Sequence, residues 1–255
     1  MEARLYSIKL SHPGHAARLM LEHKGIEHRV TMFPAGLHPV LVRLAGFGGN
    51  TVPAVKIDGR RIQTSLVIAR ELERIKPEPS LYPAAPGARA RVDEAERWGE
   101  AELQPLPRRM FRWALTKQRE AREWTARHEG LPAPALQART NALLVRRFAN
   151  AVGATDERIR QDLADLQALL DRADELVADG TLSLEQPNAA TFQIGTSIRA
   201  LCLFPQLEPL IEARPCGDIA YSVLPQFPQA PVELPVKWLA SAHRGPPARE
   251  RSRRD

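Results

Sequence analysis

Residues 51–65 read Thr-Val-Pro-Ala-Val-Lys-Ile-Asp-Gly-Arg-Arg-Ile-Gln-Thr-Ser, and their order predicts a strand, a tight turn, a second strand and a helix start. Asp58-Gly59 between two β-type runs signals a two-residue hairpin, because such a turn needs positive φ at both central positions. Pro53 cannot donate to a sheet ladder, so it must enter the strand from an edge or a special turn. A cis peptide at Val52-Pro53 is expected, since cis is cheap only before proline. These features predict a site built largely from backbone, with polar groups exposed where the hairpin meets the helix.

Working outward, Ala3–Leu10 alternates as a strand, with Tyr6, Ile8 and Leu10 on one face and Arg4, Ser7 and Lys9 on the other. Pro13 opens a helix with Ala16, Leu19, Met20 and His23 on its inner face, and Gly25 stops it. His28–Met32 reads as a second strand. A strand–helix–strand unit of this length closes right-handed, which makes the two strands parallel. Leu37–Leu44 suggests a short helix, and another is expected from Ser65 to about Ile75, with Leu66, Ala69, Leu72 and Ile75 inward.

Prolines 77, 79, 83 and 86 mark a stiff connection, beyond which nearly every segment has helical periodicity. Helices are expected over Gly87–Gln118 (kinked at Pro105 and Pro107), Ala135–Val152, Glu157–Ala178, after Asn188, and over Leu207–Ala213 and Asp218–Leu224. The division read from this pattern is an α/β unit at 1–76, a linker at 77–86, an all-helical unit at 87–240 and a disordered Arg-rich tail at 241–255.

Composition narrows the function classes. The chain has 255 residues, 44% hydrophobic and 26% charged, as in an ordinary globular protein with a real core. Cys202 and Cys216 give neither a disulfide framework nor zinc spacing, which suits a reduced, cytoplasmic setting. No apolar run is long enough for a bilayer, and no membrane partner is expected. Residues 244–255 hold five arginines against two acids, half of the net charge of +6. The rest is spread over a mixed-sign surface, a poor footprint for specific nucleic-acid binding.

In this order and spacing, Leu5-Tyr6-Ser7 leading to Ser11, Thr51-Val52-Pro53, Asp58-Gly59, Thr64-Ser65 and Pro187-Asn188-Ala189-Ala190-Thr191 resemble the glutathione S-transferases. The resemblance spans about Leu5 to Leu239. Leu5-Tyr6-Ser7, Lys24-Gly25-Ile26 and Gln104-Pro105-Leu106 are closest in flavour to the serine-type, zeta-like branch and related bacterial members. The implied fold is a thioredoxin-like βαβ-α-ββα domain followed by an all-α domain. The implied activity is a thiol-dependent transferase that activates glutathione, or a related small thiol, for attack on a small electrophile. Conjugation, isomerisation and dehalogenation would all use the same thiolate. Homodimerisation is implied by the resemblance alone.

Residue by residue, the resemblance gives Ser11 the catalytic hydroxyl that donates to the thiol sulfur. The alternative from the residues alone is a helix cap, a common job for serine before proline. Val52 and Pro53 would offer backbone groups to the cysteinyl part of glutathione, and Ser65 would hold its γ-glutamyl carboxylate at a helix N-terminus. Thr64 departs from the family's usual acid or amide, which holds the γ-glutamyl amino group. Thr191 departs from the usual Asp of the capping box begun by Asn188. Gly14 stands about where bacterial relatives often carry cysteine. Such departures favour the competing class, a non-catalytic binding or scaffold protein with a degraded thiol site. His12 and His15 lack neighbours for a metal set, so no metal is expected and a surface role is the plain reading. Arg108, Arg109, Met110, Arg112 and Trp113 fall where a second substrate would lie. An arginine there would suit an anionic electrophile, while an exposed charged face explains most of them.

Overall fold

In a computed structural model, which describes residues 2–242, the chain opens with a four-stranded mixed sheet. Strand β1 is Ala3–Ser7, helix α1 His12–His23, β2 His28–Met32, α2 His38–Leu44, β3 Ala54–Ile57, β4 Arg60–Gln63 and α3 Ser65–Ile75. The order across the sheet is β2-β1-β3-β4. β1 runs parallel to β2, with Leu5 opposite Val30, and antiparallel to β3, with Leu5 opposite Val55. Asp58 (φ 44°) and Gly59 (φ 86°) make the expected hairpin turn, with Ile57 opposite Arg60. Gly25, at φ 57°, follows the end of α1.

β1 is shorter than the alternation suggested, and its facing differs. Ser7 is buried on the same face as Ala3 and Leu5, against α1, while Tyr6 lies on the other face with Phe33 and Phe47. The reason lies across the sheet: both faces are covered, so apolar and polar residues no longer mark inside and outside. In α3 the buried face is Ile68, Ala69 and Leu72, with Leu66 and Ile75 at its margin.

The proline-rich connection is docked rather than free. Leu81 and Tyr82 are buried, the Leu81 N–H donates to Glu73, and the Leu81 carbonyl accepts from Ala189. Lys24, fully buried, pairs with Glu73 and donates to the Pro77 carbonyl. Helix α4, Pro86–Trp98, passes through a π-helical turn at Gly99–Leu103 into α5, Pro105–Lys117. α6 is Arg119–His128, α7 Pro134–Thr140 and α8 Ala142–Asn150; then come α9, Asp156–Ala178, and α10, Ala189–Leu201. α11 (Glu208–Glu212), α12 (Pro215–Val223) and α13 (Val236–Ala242) complete the described chain.

Three expectations change here. α6 was not legible from the sequence. The helix expected over Ala135–Val152 is two helices, broken at Asn141. α13 runs two residues into the stretch read as a tail, and the remainder of that stretch, 243–255, lies outside the described residues. α10 is buried along its whole length and forms the axis of the helical region. Asn188 caps it as expected, accepting from the Thr191 N–H at 3.1 Å. The Thr191 hydroxyl pairs with the Ser183 backbone instead of reaching back to the cap. Among the described residues no helix is long and apolar enough to cross a membrane.

Candidate active site

Ser11 follows β1 by four residues and caps α1, its Oγ accepting from the Gly14 N–H at 3.0 Å. That bond uses one lone pair. A hydroxyl carries one donor and two acceptor sites, so the cap leaves the O–H free to donate. No acceptor takes it among the described residues. Capping and donation are therefore compatible readings of one side chain.

The expected cis peptide is present at Val52-Pro53, and a second occurs at Glu78-Pro79. The loop before Pro53 is laced to the end of β4. Gln63 accepts from the Gly49 N–H at 2.7 Å and donates to the Thr51 carbonyl at 3.1 Å, and the Thr64 N–H reaches the Pro53 carbonyl at 3.3 Å. Val52 itself is left out: its N–H and C=O have no hydrogen-bond partner among the described residues.

Ser65 is the first residue of α3, and the cap is Thr64, not Ser65. The Thr64 Oγ1 accepts from the Val67 N–H at 3.4 Å, and its backbone sits at φ 69°. A β-branched residue in that region is strained. Neither the N–H nor the hydroxyl of Ser65 has a partner among the described residues, so both are available to a ligand.

Ser11, Val52, Pro53, Thr64 and Ser65, from three separate parts of the chain, line one cleft of about 370 Å³. Its opposite wall is helical: Arg108, Phe111 and Arg112 of α5, Arg122 of α6, and Leu144 and Phe148 of α8. The N-termini of α1 and α3 both open on this cleft, and their partial positive charge favours an anion there.

His12 also lines the cleft, and it is buried rather than on the surface. Its Nε2 lies 3.2 Å from the Gln104 carbonyl, which can only accept, so Nε2 carries the hydrogen. The π turn presents this carbonyl: the Gln104 N–H closes back on Gly99. Burial first, then nearby Arg108, lowers the His12 pKa to about 3. His38 is lowered to about 4 by burial and Arg112. Both imidazoles are neutral at pH 7. His15 points elsewhere, its Nε2 donating to the Lys9 carbonyl at 2.9 Å beside the Phe227 ring.

The exposed-face reading of the arginine-rich stretch is overturned. Arg109, Met110 and Trp113 are buried, and Arg109 forms two 2.6 Å bonds to Asp162. Arg108 and Arg112, on the other side of the helix, face the cleft. His38, Glu129 and Phe148 line it without having been singled out from sequence. Glu129 follows a helix whose pattern gave no signal, and Phe148 lies two helices further on, in α8. Among the described residues no group of three or more His, Cys, Asp or Glu side chains is placed to hold a metal.

Residues 11–75 match the family model for the glutathione S-transferase N-terminal domain, the segment that supplies every candidate site residue. The chain carries a glutathione S-transferase N-terminal domain. Its architecture is that of solved transferases along nearly the whole length. A glutathione S-transferase from Rhodospirillum rubrum F11 superposes with a TM-score of 0.56 at 18% identity, covering 94% of this chain and 99% of the other. Glutathione transferase F7 from Populus trichocarpa gives 0.59 at 14% identity, covering 89% and 94%. The β-etherase LigF from Sphingobium sp. strain SYK-6 gives 0.52 at 20% identity, covering 87% and 99%. At these identities the likeness is one of fold. No curated protein matches this chain in sequence.

Proposed function

We propose that this protein is a glutathione-dependent transferase of the serine type, with 1–76 as its thiol-binding domain, 77–86 as linker and 87–240 as the domain that shapes the second-substrate pocket. The observation that carries the reading is the free backbone of Val52 in the same cleft as Ser11 and Ser65, within the matched family segment. An extended cysteinyl group would pair strand-like with the Val52 N–H and C=O. Ser65 would receive the γ-glutamyl carboxylate through its N–H and hydroxyl at the start of α3. The thiol sulfur would then come to Ser11.

A free thiol titrates near ~8.5 and is mostly protonated at neutral pH. One hydrogen bond to a charged acceptor is worth about 1.5–3 kcal/mol. Donated to the thiolate alone, it lowers the thiol pKa by about 1–2 units, and the N-terminus of α1 acts in the same direction. The thiol proton goes to solvent. The thiolate then forms a carbon–sulfur bond to the electrophile, and the leaving group departs with its electron pair. The protein would work in the cytoplasm as a homodimer, on small electrophiles rather than nucleic acid.

One observation favours the second reading, a scaffold with a degraded thiol site: Thr64 brings no charge, and the Val67 N–H takes one lone pair of its hydroxyl, so a single uncharged acceptor is left for the γ-glutamyl amino group. Calorimetry with glutathione separates the two. A transferase gives heat at millimolar ligand or below, and Ser11→Ala keeps the binding while raising the bound thiol pKa by 1–2 units in an ultraviolet thiolate titration. No heat for any small thiol tried would leave the scaffold.

A further inference from the structure

Three arginines line the helical wall of the cleft without an ion pair among the described residues, and one of them, Arg122, spends its guanidinium on the Leu115 and Ala138 carbonyls. Arg108 donates to the neutral Gln104 side chain at 3.1 Å, and Arg112 donates to the Phe148 carbonyl at 3.2 Å. Neither forms an ion pair among the described residues. Their neighbour Arg109 shows what a structural arginine looks like in the same helix: it turns away from the cleft and is neutralised by Asp162. Arg108 and Arg112 are four residues apart, so they stand side by side on one face, where like charges oppose each other. Burial, then mutual repulsion, lowers Arg112 to about 10, and burial lowers Arg108 as well.

The remaining charges in the cleft do not cancel them. Glu100 attracts Arg108 without forming an ion pair, Glu129 forms none among the described residues, and burial pushes Glu129 toward its neutral acid form. His12 and His38 are held neutral beside the two guanidiniums. Around them the wall is apolar: Phe111, Leu115, Leu144, Val145 and Phe148. An uncompensated pair of guanidiniums at an apolar surface fits an organic anion whose charged end meets the arginines and whose body meets the rings.

We propose that Arg108 and Arg112 are specificity residues that select electrophiles carrying a carboxylate on an apolar or aromatic body. The inference rests on the transferase reading above, since it names that reaction's second substrate. In the reaction, the thiolate attacks the electrophilic carbon, a carbon–sulfur bond forms, and halide or another leaving group departs with the bonding pair. The substrate carboxylate stays unchanged against the arginines.

A matched pair of probes tests this on the full chain: 4-chloro-3-nitrobenzoate and its neutral amide. Calorimetry without thiol should give the acid about 10- to 150-fold tighter binding than the amide, the range expected for a charge-assisted contact. Arg108→Gln and Arg112→Gln should each shrink that ratio toward one by weakening the acid alone, and a double Lys variant should restore part of it. Glutathione affinity should be unchanged in all of them. Equal binding of acid and amide by the native protein overturns the proposal. So does a loss of glutathione affinity in the Gln variants, which would assign the arginines to the thiol. If native protein binds no glutathione, the transferase reading fails, and the acid–amide ratio still decides the anion pocket.

Discussion

Thr64 is where a single residue has most leverage over this site. It holds a positive φ that disfavours a β-branched side chain, and its hydroxyl caps α3 at 3.4 Å. Such backbone strain costs about 1–3 kcal/mol and persists where the surroundings impose it, here through the bond from the Thr64 N–H to the cis-proline carbonyl. An acidic side chain at this position would reach a γ-glutamyl amino group with a charge-assisted bond that threonine lacks. Thr64→Glu should therefore tighten glutathione binding by roughly 10- to 150-fold, measured by calorimetry. Unchanged affinity would mean that the amino group is held elsewhere. Ser11 teaches a related lesson. Its cap and its proposed donor role use opposite ends of the hydroxyl, so the choice between them posed by the sequence disappears once the Gly14 bond is seen.

Among the elements, the contact between β1 and α1 sets where Ser11 stands. A Cβ built on Gly14 would lie 2.0 Å from the Ser7 Oγ and 3.0 Å from the Ser11 Oγ. Gly14 therefore lets the first turn of α1 close onto the strand, and a cysteine here would press on Ser7 before it reached the cleft. Gly14→Ala should destabilise the fold by about 1–3 kcal/mol in chemical denaturation despite alanine's better helix propensity. Adding Ser7→Ala should recover part of the loss. An alanine variant as stable as the native protein would show that the close approach is unimportant. The hairpin, by contrast, was legible outright, because Asp58-Gly59 encodes its turn locally. α6 was not. Only Ala121 and Ala126 of that helix are fully buried, so its sequence carries no apolar stripe to read.

For the molecule as a whole, the burial of His12 ties the two regions together. The imidazole of the α/β part is covered by the helical part and bonded to the Gln104 carbonyl. Its folded pKa of about 3 lies below the unfolded value near 6.5. Unfolding then binds a proton at mildly acid pH. The stabilisation from keeping His12 neutral is complete above pH 6.5 and is lost as pH falls toward 3. At pH 5 the loss is about 2 kcal/mol from this residue, with a further loss in the same direction from His38, lowered to about 4. Denaturation of the native protein at pH 7.5 and pH 5 should show this slope, and His12→Gln should remove the His12 share of about 2 kcal/mol, leaving the part due to His38. An equal slope in the variant would refute the assignment.

The sequence alone determined what is encoded over a few residues: the hairpin, the proline at Val52-Pro53, the stop at Gly25, the cap at Asn188, and the division into a β-containing region and a helical one. Turn chemistry, missing donors and apolar periodicity are local properties, readable without a partner. Only the tertiary structure decided what each exposed group faces. His12 reads as a surface residue until α5 covers it, and Arg108, Arg109 and Arg112 read alike until packing sends Arg109 to Asp162 and the other two to the cleft. Burial and counter-ions come from residues far apart in the chain, and these long-range pairings set charge state and chemistry.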